Sequence, residues 1–110
     1  MRLPGGDRAV VDIRKLRDYC LNENHLRGRH KARVFASALG MRAEHAADLR
    51  RILLAAATEA QASPLAKDHY GQRYVVECAI SGPAGQGVLR SIWMVRLGEG
   101  FPRLLTCYLL

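Results

Sequence analysis

Residues 71–97 read GQRYVVECAISGPAGQGVLRSIWMVRL, and the period of this stretch decides the fold. Tyr74, Val76, Cys78 and Ile80 alternate with Arg73, Val75, Glu77 and Ala79. SGPAGQG then supplies a turn, and VLRSIWMVRL resumes the alternation, so two strands pair through a hairpin. The second strand sets Leu89, Ser91, Trp93, Val95 and Leu97 on one face and Arg90, Ile92, Met94 and Arg96 on the other. The first face is expected to pack on helices, which leaves Arg90 on the open side. GEGFP forms the next turn, and RLLTCYLL the last strand. Both faces of that strand are largely apolar. Leu105, Cys107 and Leu109 are expected in the core, because the other choice would bury the hydroxyls of Thr106 and Tyr108 and oblige them to find partners.

Upstream of Gly71 the period is that of a helix. After a loose lead-in at residues 1–7, Ala9–Val11 is expected to form a short strand or extended approach. Asp12 reads as an N-cap for a helix over 13–21, whose stripe is Ile13, Leu16 and Cys20. A second helix is expected from about His30 to Leu39, ending at Gly40, which suits the left-handed C-terminal position. Over 42–61, Ala46, Leu49, Leu53, Ala56 and Ala60 recur at helical spacing, with no good N-cap side chain at the start and with Ser63 and Pro64 as the stop. Helices first and strands afterwards make one α+β domain over 1–110, the N-terminal helices packed on one face of a three- to four-stranded antiparallel sheet.

The 110 residues include 17 Lys and Arg against 10 Asp and Glu, a formal charge of +7 that favours a polyanionic partner. The excess lies upstream: residues 1–41 carry nine cations and four acids. No stretch approaches the roughly 18–20 apolar residues needed to cross a bilayer, and no apolar run marks a signal peptide. A cytoplasmic protein without a membrane partner is expected. Cys20, Cys78 and Cys107 are far apart within apolar patterns and read as free structural thiols. Metal ligation would have to draw the dispersed His25, His30, His45 and His69 together without a clustered thiol or carboxylate partner, so no metal or other cofactor is expected.

The basic excess is densest in Asn24–Leu39, NHLRGRHKARVFASAL, with two histidines, four cations and no acid. On a helix Lys31 lies about 300° before Val34 and about 400° before Phe35, within about 60° of both, at the edge of the buried stripe. A lysine there either snorkels from the core into solvent or reaches into a neighbouring cleft.

KLRDYCL at 15–21, the spacing Asn22, His25, Gly28, Lys31 with ARVF and a closing Leu39-Gly40, GQRYVV at 71–76, LRSIW at 89–93 and FPRLLTCYLL at 101–110 together resemble a small bacterial domain family of unknown function over nearly the full chain. The layout is also similar to the broader group of barnase, EndoU, colicin and RelE type toxin ribonucleases, which pack helices on a four-stranded antiparallel sheet and cleave RNA on its exposed face. That resemblance implies a site built from Lys31 with His25 or His30 nearby, Arg90 on the middle strand, and Thr106 and Tyr108 on the last.

The chemistry so implied is metal-independent. It needs a base for the 2′-hydroxyl, cations for the phosphate oxygens and a proton source for the departing 5′-oxygen. His25 is expected as base or acid, Lys31 and Arg90 as phosphate clamps, and Thr106 and Tyr108 as orienting donors. Arg27, Arg29, His30, Arg33, Arg96 and Arg103 would extend the RNA track. Each has a plainer reading: idle surface histidines, an arginine guarding the sheet, a β-branched strand residue. Trp93 reads as core rather than as a base-stacking platform. The expected function is an endoribonuclease toxin acting on tRNA, rRNA or mRNA and held by an acidic antitoxin or immunity protein. A noncatalytic RNA-binding module, or an interaction domain for such an acidic partner, fits the same basic face.

Overall fold

In the computed structural model all of residues 1–110 are described, and helices precede strands as the periodicity requires. Asp12 caps the first helix, its carboxylate accepting from the backbone N–H of Arg14 at 3.0 Å. This helix, α1, runs as Ile13–Lys15 and widens into Leu16–Cys20, burying Leu16 and Cys20. Helix α2 runs as Arg29–Val34 and likewise widens over Phe35–Leu39, until Gly40 at φ 69° ends it in the left-handed conformation. Helix α3, Ala46–Glu59, starts later than the pattern suggested. A short turn at Ala43–His45 precedes it, and the His45 ring takes the place of a missing cap by accepting from the backbone N–H of Arg42 at 3.0 Å.

Ser63 and Pro64 do not merely stop α3; they belong to a strand. Strand β1 (Ala62–Asp68) pairs antiparallel with β2 (Gly71–Gly82), which pairs with β3 (Gly85–Arg96), which pairs with β4 (Pro102–Leu109). As the sheet order is β1-β2-β3-β4, Pro64 sits on an edge strand, where its missing N–H is tolerated, and the ladder is irregular between Pro64 and Lys67. At the other edge Val10 bridges to Arg103, giving the expected extended approach at Ala9–Val11 a real partner.

The helices cover one face of the sheet. Leu16, Phe35, Leu39, Leu49 and Leu53 meet Val76, Leu89, Trp93, Leu104 and Cys107 there, all of them buried. Trp93 is fully buried, and its indole N–H donates to Ser91 Oγ at 2.9 Å while that hydroxyl donates to the Val76 carbonyl at 3.2 Å. The tip of the β2–β3 hairpin packs directly on the end of α2: a Cβ at Gly82 would lie 2.3 Å from the Leu39 carbonyl oxygen, and one at Gly85 2.5 Å from that of Ala38. This contact fixes α2 against the sheet.

Two expected core positions are corrected. Thr106 pairs with Ile92 and Leu104 with Trp93, so Leu105 is the extra residue of a bulge; Leu104 takes the core place and Leu105 turns half-exposed to the side. Leu97 lies past the end of β3 and is exposed, whereas Met94 is buried on the opposite face between Arg73 and Arg103, whose stems flank it.

Candidate functional site

The loop between α1 and α2 is held by a histidine acting as a backbone cap. His25 Nδ1 accepts from the backbone N–H groups of Arg27 at 3.1 Å and Gly28 at 3.0 Å, and its ring stands edge-on to Tyr19 with centroids 4.6 Å apart. Gly28 is required here, since a Cβ would lie 2.9 Å from the Tyr19 carbonyl oxygen. So anchored, α2 begins beside the outer edge of β4.

Between these elements runs an open groove of about 700 Å³. Lys31, Lys15 and Arg14 line it together with Tyr19 and His25, and the bulged strand contributes Leu105 and Thr106 as its far wall. Asp12 and Asp18 also border it, each bound to an adjacent arginine, Arg14 or Arg17. Those hydrogen bonds hold both carboxyls below the ordinary range, that of Asp12 at about 2, so both are anionic and already compensated at neutral pH. Behind the wall, Cys20 and Cys107 are buried as neighbours, and the proximity of Cys20 together with burial pushes the Cys107 thiol well above its ordinary range. All three cysteines are free.

Lys31 links this groove to the uncovered face of the sheet. Its ammonium lies 4.4 Å from the centre of the Tyr108 ring, close enough for a cation–π contact. Tyr108 stands directly across from Arg90, and Arg90 directly across from Glu77, so the register lays one polar row across three strands. Arg90 Nη2 donates to Glu77 Oε1 at 3.0 Å. The Glu77 carboxylate first and the neighbouring Tyr108 hydroxyl second hold the Arg90 pKa above its ordinary value.

Of the residues singled out in the sequence, His25, Lys31 and Thr106 therefore share the groove, while Arg90 and Tyr108 occupy the adjoining sheet face and meet the groove through Lys31. Arg27, Arg29, His30 and Arg33 are exposed on and around the start of α2. The eight ion pairs of the fold use other arginines, so Arg27, Arg29, Arg33 and Lys31 remain uncompensated. Arg96 and Arg103 line a smaller recess of about 150 Å³ that shares Asp12, Lys15 and Leu105 with the groove. Both face Glu99, at 4.0 and 2.9 Å, and so present a weaker positive field than expected.

With Nδ1 occupied as an acceptor of two backbone N–H bonds, Nε2 is the only ring nitrogen of His25 left to meet a ligand in the groove. Glu77 was not among the expected site residues, although the alternation of β2 puts it on the face opposite the core, as it does for Arg90 on β3. Nothing local in the sequence says that those two positions are cross-strand neighbours.

No group of three or more His, Cys, Asp or Glu side chains is gathered to hold a metal ion, and no helix is long and apolar enough to cross a membrane. A family model matches residues 2–110, nearly the whole chain. The chain belongs to the family described as a domain of unknown function, DUF6883. No curated protein and no solved structure matches it.

Proposed function

We propose that this DUF6883 domain is a metal-independent endoribonuclease whose site is the row Glu77, Arg90, Tyr108 and Lys31. The observation that carries the reading is the meeting of Lys31 with Tyr108, which joins an open groove lined by Arg14, Lys15 and Lys31 to a line of groups able to move protons and stabilise charge. In the reaction, the 2′-oxygen attacks phosphorus and its proton passes to Glu77. The bond to the 5′-oxygen breaks, that oxygen takes a proton from the Tyr108 hydroxyl, and a 2′,3′-cyclic phosphate is left. Lys31 and Arg90 stabilise the charge that gathers on the phosphoryl oxygens, with Thr106 and the His25 Nε2–H as orienting donors. The uncompensated cations of α2 would guide the strand, and a toxin module restrained by an acidic antitoxin or immunity protein is the setting such an activity implies.

A second reading, a noncatalytic RNA-binding module, is favoured by the captive Nδ1 of His25 and the engagement of Arg90 by Glu77. Incubation of purified protein with total RNA in EDTA separates the two. Discrete fragments ending in cyclic phosphate, lost with Lys31→Ala and Glu77→Gln and retained with Arg51→Ala, support the enzyme. Binding that falls steeply with salt and leaves the RNA intact supports the module.

A further inference from the structure

The face of the sheet that carries the polar row has no covering layer, and beside that row it is hollow. Leu65 of β1, Val75 of β2 and Ile92 of β3 form the floor of a recess of about 310 Å³, walled by Arg90 and Tyr108. Leu65 follows Pro64, which pairs with Tyr74 of the core face, so alternation turns it to the open side at the exposed edge of the floor; Val75 and Ile92 are half-buried.

We infer that this hollow seats one base of a single-stranded polynucleotide whose phosphate lies on Lys31 and Arg90; the inference rests on the RNA-directed reading above and adds to it where the base goes. The occupant must have a flat apolar part for the aliphatic floor and an anionic part for the cations at the wall, which is the make-up of a nucleotide. The volume lies at the small end of ligand pockets, roughly 300–1,000 Å³, and suits one unstacked base. Paired bases in a duplex keep their faces stacked on one another and cannot enter. The Arg90 guanidinium stands at the wall with one nitrogen on Glu77, so its planar group borders the aliphatic floor where a flat base would lie. Apart from Arg90 and the Tyr108 hydroxyl no polar side chain lines the hollow, so it holds a base by its face and reads little of its edge.

The test uses fluorescein-labelled 2′-O-methyl oligoribonucleotides, which lack the attacking hydroxyl, and compares a base-bearing strand with an abasic strand of equal length by anisotropy. The wild-type protein is expected to bind the base-bearing strand about tenfold more tightly, a gap of about 1.4 kcal/mol. Leu65→Asn, a rim change that keeps the net charge, and Ile92→Asn are expected to narrow the gap to about threefold or less, with the abasic affinity unchanged. Lys31→Ala weakens both strands alike. Circular dichroism checks each variant, and Leu65→Asn, being at an exposed position, keeps the test valid if Ile92→Asn unfolds. Equal wild-type affinity for the two strands, or a gap that survives Leu65→Asn, overturns the base seat while leaving the RNA reading in place. Absence of binding to either strand overturns the RNA reading itself.

Discussion

The ammonium of Lys31 lies 4.4 Å from the centre of the Tyr108 ring, so the helical cations meet the polar row of the sheet through an aromatic face. The ring and the hydroxyl of Tyr108 then have separable duties. Tyr108→Phe keeps the cation–π contact and is expected to leave RNA affinity within about twofold while slowing cleavage by about 10²-fold, through loss of the proton source. Tyr108→Leu is expected to weaken binding as well, because Lys31 loses its seat. Single-turnover cleavage and anisotropy on the same preparations read the two effects, and equal cleavage by wild type and Tyr108→Phe removes the hydroxyl from the reaction.

Glu77 distinguishes catalysis from binding more sharply than any cation does. Its carboxylate neutralises Arg90 in the free protein, so Glu77→Gln releases a guanidinium toward phosphate. RNA affinity is expected to rise. Cleavage is expected to fall by about 10²- to 10⁴-fold, since the proton acceptor is gone. A variant that binds more tightly and still cuts at the wild-type rate would show that the base lies elsewhere.

Much of the fold follows from local pattern. The alternation in β2 and β3, the Asp12 cap and the Gly40 terminator are each read from a few neighbouring residues, and each is present. What escaped depends on distant partners. Ser63 and Pro64 are ordinary helix-stopping residues that become a strand because β2 offers an edge, and Leu105 yields its core place to Leu104 because the β3–β4 ladder slips by one residue. The site divides in the same way. Lys31 and Arg90 stand out by type and position, and Thr106 and Tyr108 enter through the family resemblance, but that Glu77 joins Arg90, and that His25 spends Nδ1 on its own loop, is decided by register and turn geometry.

The core gives a prediction independent of function. Ser91 Oγ is the acceptor for the fully buried Trp93 indole N–H, so Ser91→Ala strands a donor that water cannot reach. The expected loss of stability in urea denaturation is about 1–3 kcal/mol, with an unchanged m-value. Trp93→Phe in the Ser91→Ala background should cost less than Trp93→Phe alone, because the second change removes the stranded donor. Additive losses would mean that the indole N–H is satisfied elsewhere.

Asp12 couples the start of α1 to pH and to the groove at once. Its folded pKa is depressed to about 2, chiefly by the Arg14 side chain and then by the Arg14 backbone N–H. A depressed carboxyl contributes stability that is fully present above its unfolded pKa, about 3.9, and is lost as pH falls through the folded value. Asp12→Asn keeps a capping oxygen but not the charge. The wild type is therefore expected to melt higher than Asp12→Asn at pH 5 to 7, and the difference in Tm should close as pH falls from about 4 to 2. At pH 7 the same substitution removes one negative charge from the groove wall, so affinity for a short single strand should increase, most clearly at low salt. A Tm difference that stays constant down to pH 2 would falsify the assignment of this ion pair to the folded state.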